Sequence, residues 1–159
     1  MESVIKIAAY ISSRYKAVHG VDIDEMKLHK LLYFAQRESL ARLQRPLFEE
    51  EFQAWKYGPV LVQIRDAFRH GALDSHEPIS PDCREILDFV IDEYSGKSSW
   101  SLSRITHGEF SWQNARRNMA PDASCANVIP TTDIAVDAER IRNRRLFLEQ
   151  LAATHDEDN

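Results

Sequence analysis

The chain has 159 residues, 20 lysines and arginines against 25 aspartates and glutamates for a formal net charge of −5, 43% hydrophobic residues and a mean hydropathy of −0.44. Leu, Ile, Val and Phe make up about a quarter of it, enough apolar mass for one globular core without disulfides or metals. The apolar runs fall far short of the roughly 20 residues that cross a bilayer, and the acidic balance argues against non-specific binding to nucleic-acid phosphates as the main task.

From Val4 the apolar positions Val4, Ile7, Ala8, Ile11, Tyr15 and Val18 recur at helical spacing, and Gly20 follows as a left-handed stop, so a first helix is predicted. Asp24 is placed to cap a second helix with the stripe Leu28, Leu31, Leu32, Ala35 and Leu43, which Arg45-Pro46 discourages from continuing. These two are expected to pair antiparallel. Phe52-Gln-Ala-Trp-Lys-Tyr57 alternates two faces and reads as a short strand. Gly58-Pro59 is expected to end it, with Pro59 opening a third helix that carries Val60, Leu61, Ile64, Ala67 and Phe68 and stops at Gly71.

Ser80-Pro81 starts a fourth helix, whose stripe Cys83, Ile86, Leu87, Val90, Ile91 and Tyr94 is the cleanest in the chain, and Gly96 stops it. Two short helices are predicted at 99–106 and 111–119, each beginning with Ser immediately before Trp, followed by a loop at 120–130. Thr131 or Thr132 can cap a last helix with Ile134, Ala138, Ile141, Leu148 and Leu151 facing the core and Arg140, Arg142, Arg144 and Arg145 clustered midway. The polar, acidic residues 154–159 are expected to fray. The expected architecture is a mainly α, compact single-domain bundle over residues 1–153. It has about six to seven helices and one short strand or small two-stranded element near 52–57.

Little in the sequence points to catalysis. The histidines His19, His29, His70, His76, His107 and His155 form no HExxH pair, and neither Cys83 nor Cys125 has a second ligand at finger spacing, so no metal site is expected. Reduced thiols suit the cysteine spacing better than a disulfide framework. There is no GxSxG elbow, and the five glycines are scattered singly, so neither a nucleophile nor a phosphate cradle is predicted, and no catalytic residue or cofactor is assigned. The opening residues Met-Glu-Ser-Val-Ile-Lys have no basic leader or cleavage site, so a cytoplasmic location is expected. Lys27, Lys30, Phe34 and Arg37 on one flank of the second helix, with His29, Tyr33 and Gln36 on the other, suit either a partner surface or an ordinary solvated face. Ala54-Trp-Lys-Tyr-Gly-Pro59 concentrates two aromatics and a lysine beside a turn, which fits interface anchors or a shielded turn equally.

Three segments carry a resemblance. Lys27-Leu-His-Lys-Leu-Leu-Tyr-Phe-Ala35, then Phe52 with Ala54-Trp-Lys-Tyr-Gly-Pro-Val60, then Leu102-Ser and Thr106-His107 with Trp112 and Ala115 resemble the Panacea domain family, which includes SocA-like antitoxins and GepA-like phage-associated proteins. The match spans about residues 26–116, with His29 standing where many members have Gln. The resemblance implies a mostly helical, non-enzymatic antitoxin of a toxin-antitoxin system. Such a protein neutralises a partner protein toxin by direct binding, or as a proteolytic adaptor that delivers the toxin to a ClpXP-type protease. On this reading Lys27, Lys30, Tyr33, Trp55, Lys56 and Tyr57 form the partner-binding surface, and Gly58, Pro59, Thr106, His107 and Trp112 fix or extend it. The alternative is a DNA-binding transcriptional regulator, motivated by the two-helix N-terminus and the arginine cluster.

Overall fold

A computed structural model describes residues 1–157 of the chain. These residues form seven helices, about 63% of the structure, and one small sheet. The helices are α1 (Val4–His19), α2 (Glu25–Leu43), α3 (Val62–Arg69), α4 (Pro81–Tyr94), α5 (Ser99–His107), α6 (Phe110–Ala115) and α7 (Thr131–Glu157), and the strands are β1 (Phe52–Trp55), β2 (Gly58–Val60) and β3 (Val128–Ile129). The punctuation read from the sequence sets most ends. Gly20 takes φ 74° after α1, the Asp24 carboxylate accepts from Lys27 N at the start of α2, and the Ser80 hydroxyl accepts from Cys83 N ahead of Pro81. The helix predicted at 99–106 forms as α5, capped by the Ser98 hydroxyl, which accepts from Ser101 N.

Three expectations need correction in this region. Gly58-Pro59 does not start a helix: Gly58–Val60 folds back as β2, with Trp55 opposite Gly58, and α3 begins only at Val62. The 120–130 loop supplies a third strand, β3, which pairs antiparallel with β1 through Phe52 opposite Ile129, so the sheet order is β2-β1-β3. The helix expected at 111–119 closes at Ala115, and the chain leaves it through a turn in which Asn118 takes φ 71°.

The organising element is α2, in which every residue from Lys27 to Ala41 is buried. It is wrapped by α7, α4, α5, α1, α3 and β2, so both flanks read as candidate solvent faces are interior. A helix in that position must match its polar side chains. Gln36 donates to Phe48 O at 3.0 Å and accepts from Leu47 N, and Ser39 donates to Arg45 O. The Glu38 carboxylate, 1% exposed, is held by Arg145 of α7 at 2.7 and 3.0 Å and by Arg42. Arg37 donates to Tyr94 Oη and to Glu109, while its guanidinium lies 4.8 Å from the Phe34 ring centroid.

The last helix departs from its predicted stripe. Ile134 and Ala138 are buried, but Leu148 and Leu151 are about half exposed, as are Leu146 and Phe147. Beyond Arg145, its last anchor to α2, α7 runs past the body and remains helical through Glu157, where fraying was expected from Thr154; Asp158 and Asn159 lie outside the described residues. No helix among the described residues is long and apolar enough to cross a membrane.

Candidate functional site

The three motif segments, separate in sequence, meet around the β1–β2 turn. Trp55 ends β1, Lys56 and Tyr57 form the exposed tip, and Gly58 and Pro59 are buried as the chain turns back. Gly58 has φ 125°, a conformation L side chains rarely adopt, and a Cβ there would stand 2.7 Å from Lys30 Nζ and 2.9 Å from Thr106 Oγ1. Only glycine lets the turn lie against α2 and α5 at this distance. The turn is held from below: Ser103 Oγ donates to Tyr57 O, Trp112 Nε1 donates to Trp55 O at 2.9 Å, and His107 stacks on Trp112 with centroids 4.2 Å apart. Thr106 is fully buried, its hydroxyl donating to Ser103 O. Thr106, His107 and Trp112 therefore brace the turn.

The predicted partner surface divides. Lys56 and Tyr57 are exposed and Trp55 half-buried, with Tyr57 set edge-on to the exposed Trp100 at 5.5 Å. Lys27 and Tyr33 are not at the surface. Lys27 is 8% exposed and donates to Ser95 O at 3.1 Å and Tyr15 Oη at 3.4 Å, tying α2 to the end of α4 and to α1. Tyr33 is fully buried, its hydroxyl shared with Ser111 Oγ, Asp137 and Glu109. Both contribute to packing because α2 is interior on both flanks.

Lys30 is 1% exposed, yet it lines a cavity of about 600 Å³ that opens beside the turn. Its walls include Met26, Trp55, Tyr57 and Val60, and the loop residues Ser124, Cys125 and Ala126 close one side. Lys56, Arg65 and Arg69 add positive charge. Arg69 is matched by Glu25 at 3.1 Å, whereas Arg65 lies over the Trp55 ring at 4.9 Å. His29, 2% exposed, also lines the cavity; Leu61 N donates to its Nδ1 at 3.3 Å, and its Nε2 has no partner among the described residues. Burial, with the neighbouring charges of Lys30, Arg65 and Arg69, pushes the His29 pKa down to about 3, so the ring is neutral at physiological pH. Burial likewise lowers the Lys30 pKa to about 8, against a weaker opposing pull from Asp24. His107 is shifted downwards by burial first and by Lys30 second.

Residues outside the motifs complete the site, and no periodicity or spacing marks them in advance. Arg116, 6% exposed, sends its guanidinium to Ala54 O at 2.8 Å and to Ala123 O at 2.6 Å, holding the 120–127 loop against β1. Asp137 of α7 accepts from Phe110 N and Ser111 N at the start of α6. Both cysteines are free, and no cluster of three or more metal-ligating side chains occurs among the described residues.

This architecture defines a mainly α domain with a small antiparallel sheet, built around one buried polar helix. Residues 28–113, just over half of the chain, match the family described as Antitoxin SocA-like, Panacea domain, and the chain belongs to that family. The matched segment runs from α2 to α6 and contains the hairpin, its braces and Lys30. Neither a protein of curated function nor a solved structure matches the chain.

Proposed function

We propose that this protein is an antitoxin that neutralises a cognate protein toxin by direct, non-catalytic binding in the cytoplasm, with the β1–β2 turn as its contact surface. Membership of the SocA-like antitoxin family supports the role. The single observation that carries the contact surface is the exposed tip itself. Lys56 and Tyr57 project beside Trp100, which is 61% exposed, on a turn whose backbone is held by Ser103 and Trp112. Exposed aromatics on a rigid support lose little entropy on binding and make good anchors.

The test is capture with the tagged full chain from its native host at moderate salt, followed by expression of the captured small protein alone and together with this chain. A partner that arrests growth alone and is tolerated in the presence of this chain is the expected result. A captured partner without effect on growth would contradict it. Co-recovery of a ClpX-type unfoldase would add proteolytic delivery to the mechanism. The DNA-binding reading is weakened by one observation: of the four arginines that motivated it, Arg145 is committed to the buried carboxylate of Glu38.

A further inference from the structure

We propose that the cavity beside the turn is a binding site for a carboxylate carried on an apolar body, with Lys30 as its counter-ion. The inference goes beyond neutralisation and does not require it.

The buried polar residues of α2 differ in their partners. Lys27, Gln36, Arg37, Glu38 and Ser39 are all buried, and each has its hydrogen-bond or ion-pair partner within the chain. Lys30 is buried more deeply than Lys27 and makes neither a hydrogen bond nor an ion pair among the described residues. An ammonium held this deep without a partner has only the cavity to restore its lost hydration, a cost ordinarily removed by pairing or avoided by using another residue. Here the turn is shaped around it, since any side chain at Gly58 would collide with Nζ. The depressed pKa of Lys30 agrees with an uncompensated charge.

A second donor lacks a partner at the same cavity. Leu61 N–H donates to His29 Nδ1, so the neutral ring carries its proton on Nε2, which is buried and unmatched. The surrounding charge favours an anion. Among the described residues Glu25 is the one acidic residue in the lining and already pairs with Arg69, leaving Lys30, Lys56 and Arg65 without acidic partners there in a chain of net charge −5.

The rest of the lining decides what carries the charge. Met26, Trp55, Tyr57 and Val60 present apolar and aromatic surface, and the volume of about 600 Å³ lies in the range of small-molecule pockets. Among the lining cations Lys30 alone is buried, Lys56 and Arg69 being exposed and Arg65 half-buried, so one negative charge suffices at the depth of the cavity, which favours a monocarboxylate over a phosphate. Two sources offer this chemistry: a free aromatic or aliphatic acid, and the C-terminal carboxylate of a partner chain that ends in an apolar residue.

Titration of the full-length protein with two matched pairs tests the proposal and separates the sources. One pair is 4-phenylbutyrate and its amide; the other is a short peptide ending in Phe with a free carboxylate, and the same peptide amidated. The expected result is a preference of at least about tenfold for the acid over the amide in one pair or both, abolished in Lys30→Met. A preference in the first pair assigns a free acid; a preference confined to the peptide pair assigns a chain terminus. Equal binding of acid and amide in both pairs, or a preference that survives Lys30→Met, overturns the proposal. Cys125 provides a readout on the unsubstituted chain, because it lines the cavity and is partly accessible, whereas Cys83 is buried. The preferred acid should slow alkylation of Cys125 and its amide should not; equal rates overturn the assignment. Failure of these measurements leaves the antitoxin reading standing, and failure of toxin rescue leaves them unaffected.

Discussion

Lys30→Met removes a charge that the fold does not compensate while keeping the volume of the side chain. Its ammonium titrates near 8 in the native state against 10.5 in the unfolded chain, so the unfolded state binds more protons between those values. The cost of the charged form is therefore fully present below pH 8 and disappears as the pH rises through 10.5. Thermal denaturation is expected to show Lys30→Met at least as stable as wild type near neutrality, by up to about 3 kcal/mol, with the gap closing in alkaline solution. A large loss of stability at pH 7 would mean that Lys30 has a structural partner. Gly58→Ala has the opposite sign. Its Cβ would need φ 125° and would meet Lys30 Nζ at 2.7 Å, so a loss of about 2–4 kcal/mol is expected in denaturant titration.

At the scale of elements, what could be read in advance followed the kind of signal involved. Caps and stops are local, so Gly20, Asp24 and Ser80-Pro81 marked their helices correctly. The β2 strand was missed because Pro59 at a helix start and Pro59 on a short strand look alike in sequence; the pairing of Gln53 with Val60 that decides between them is a tertiary fact. On α2 the charges suggested solvated flanks, yet Arg37, Glu38 and Lys27 face partners contributed by α1, α4 and α7 and by the residues that follow α4 and precede α6. Periodicity registers which residues share a face, not whether another helix covers it. The same limit applies to Leu148 and Leu151, where the helical period continues after the packing surface has ended.

Two element-level predictions concern residues that lie beside the motif residues without belonging to them. Arg116 bridges β1 to the 120–127 loop, so Arg116→Ala should leave the helices folded while limited proteolysis cuts within that loop several-fold faster; an unchanged rate would remove Arg116 from this role. Glu109 lies among Arg37, Tyr33 and Asp137, and burial, with the Asp137 carboxylate nearby, outweighs the pull of Arg37 and pushes its pKa up to about 7. The native state then holds a proton that the unfolded state releases above 4.5. The stability contributed by protonated Glu109 is present below that value and is lost as the pH rises through 7. The melting temperature of Glu109→Gln should therefore gain on wild type between about pH 5 and about pH 8, and a constant difference across that range would contradict the assignment.

For the molecule as a whole, the motif residues sort into two functions that the sequence left entangled. Trp112, Thr106 and His107 support the turn from within, and Lys27 and Tyr33 belong to the packing of α2. Lys56 and Tyr57 remain on the outside of a rigid hairpin, and Lys30 and His29 line the cavity behind it. That division lets recognition be altered without disturbing the fold, because changes to exposed residues usually cost little stability. The most direct measurement is the affinity of the captured toxin for wild type and for Lys56→Glu combined with Tyr57→Ala, by calorimetry, alongside the melting temperature of each. Direct neutralisation through the turn predicts binding weakened by about tenfold or more with the melting temperature almost unchanged. Full affinity in the folded double variant would move the toxin contact elsewhere on the protein.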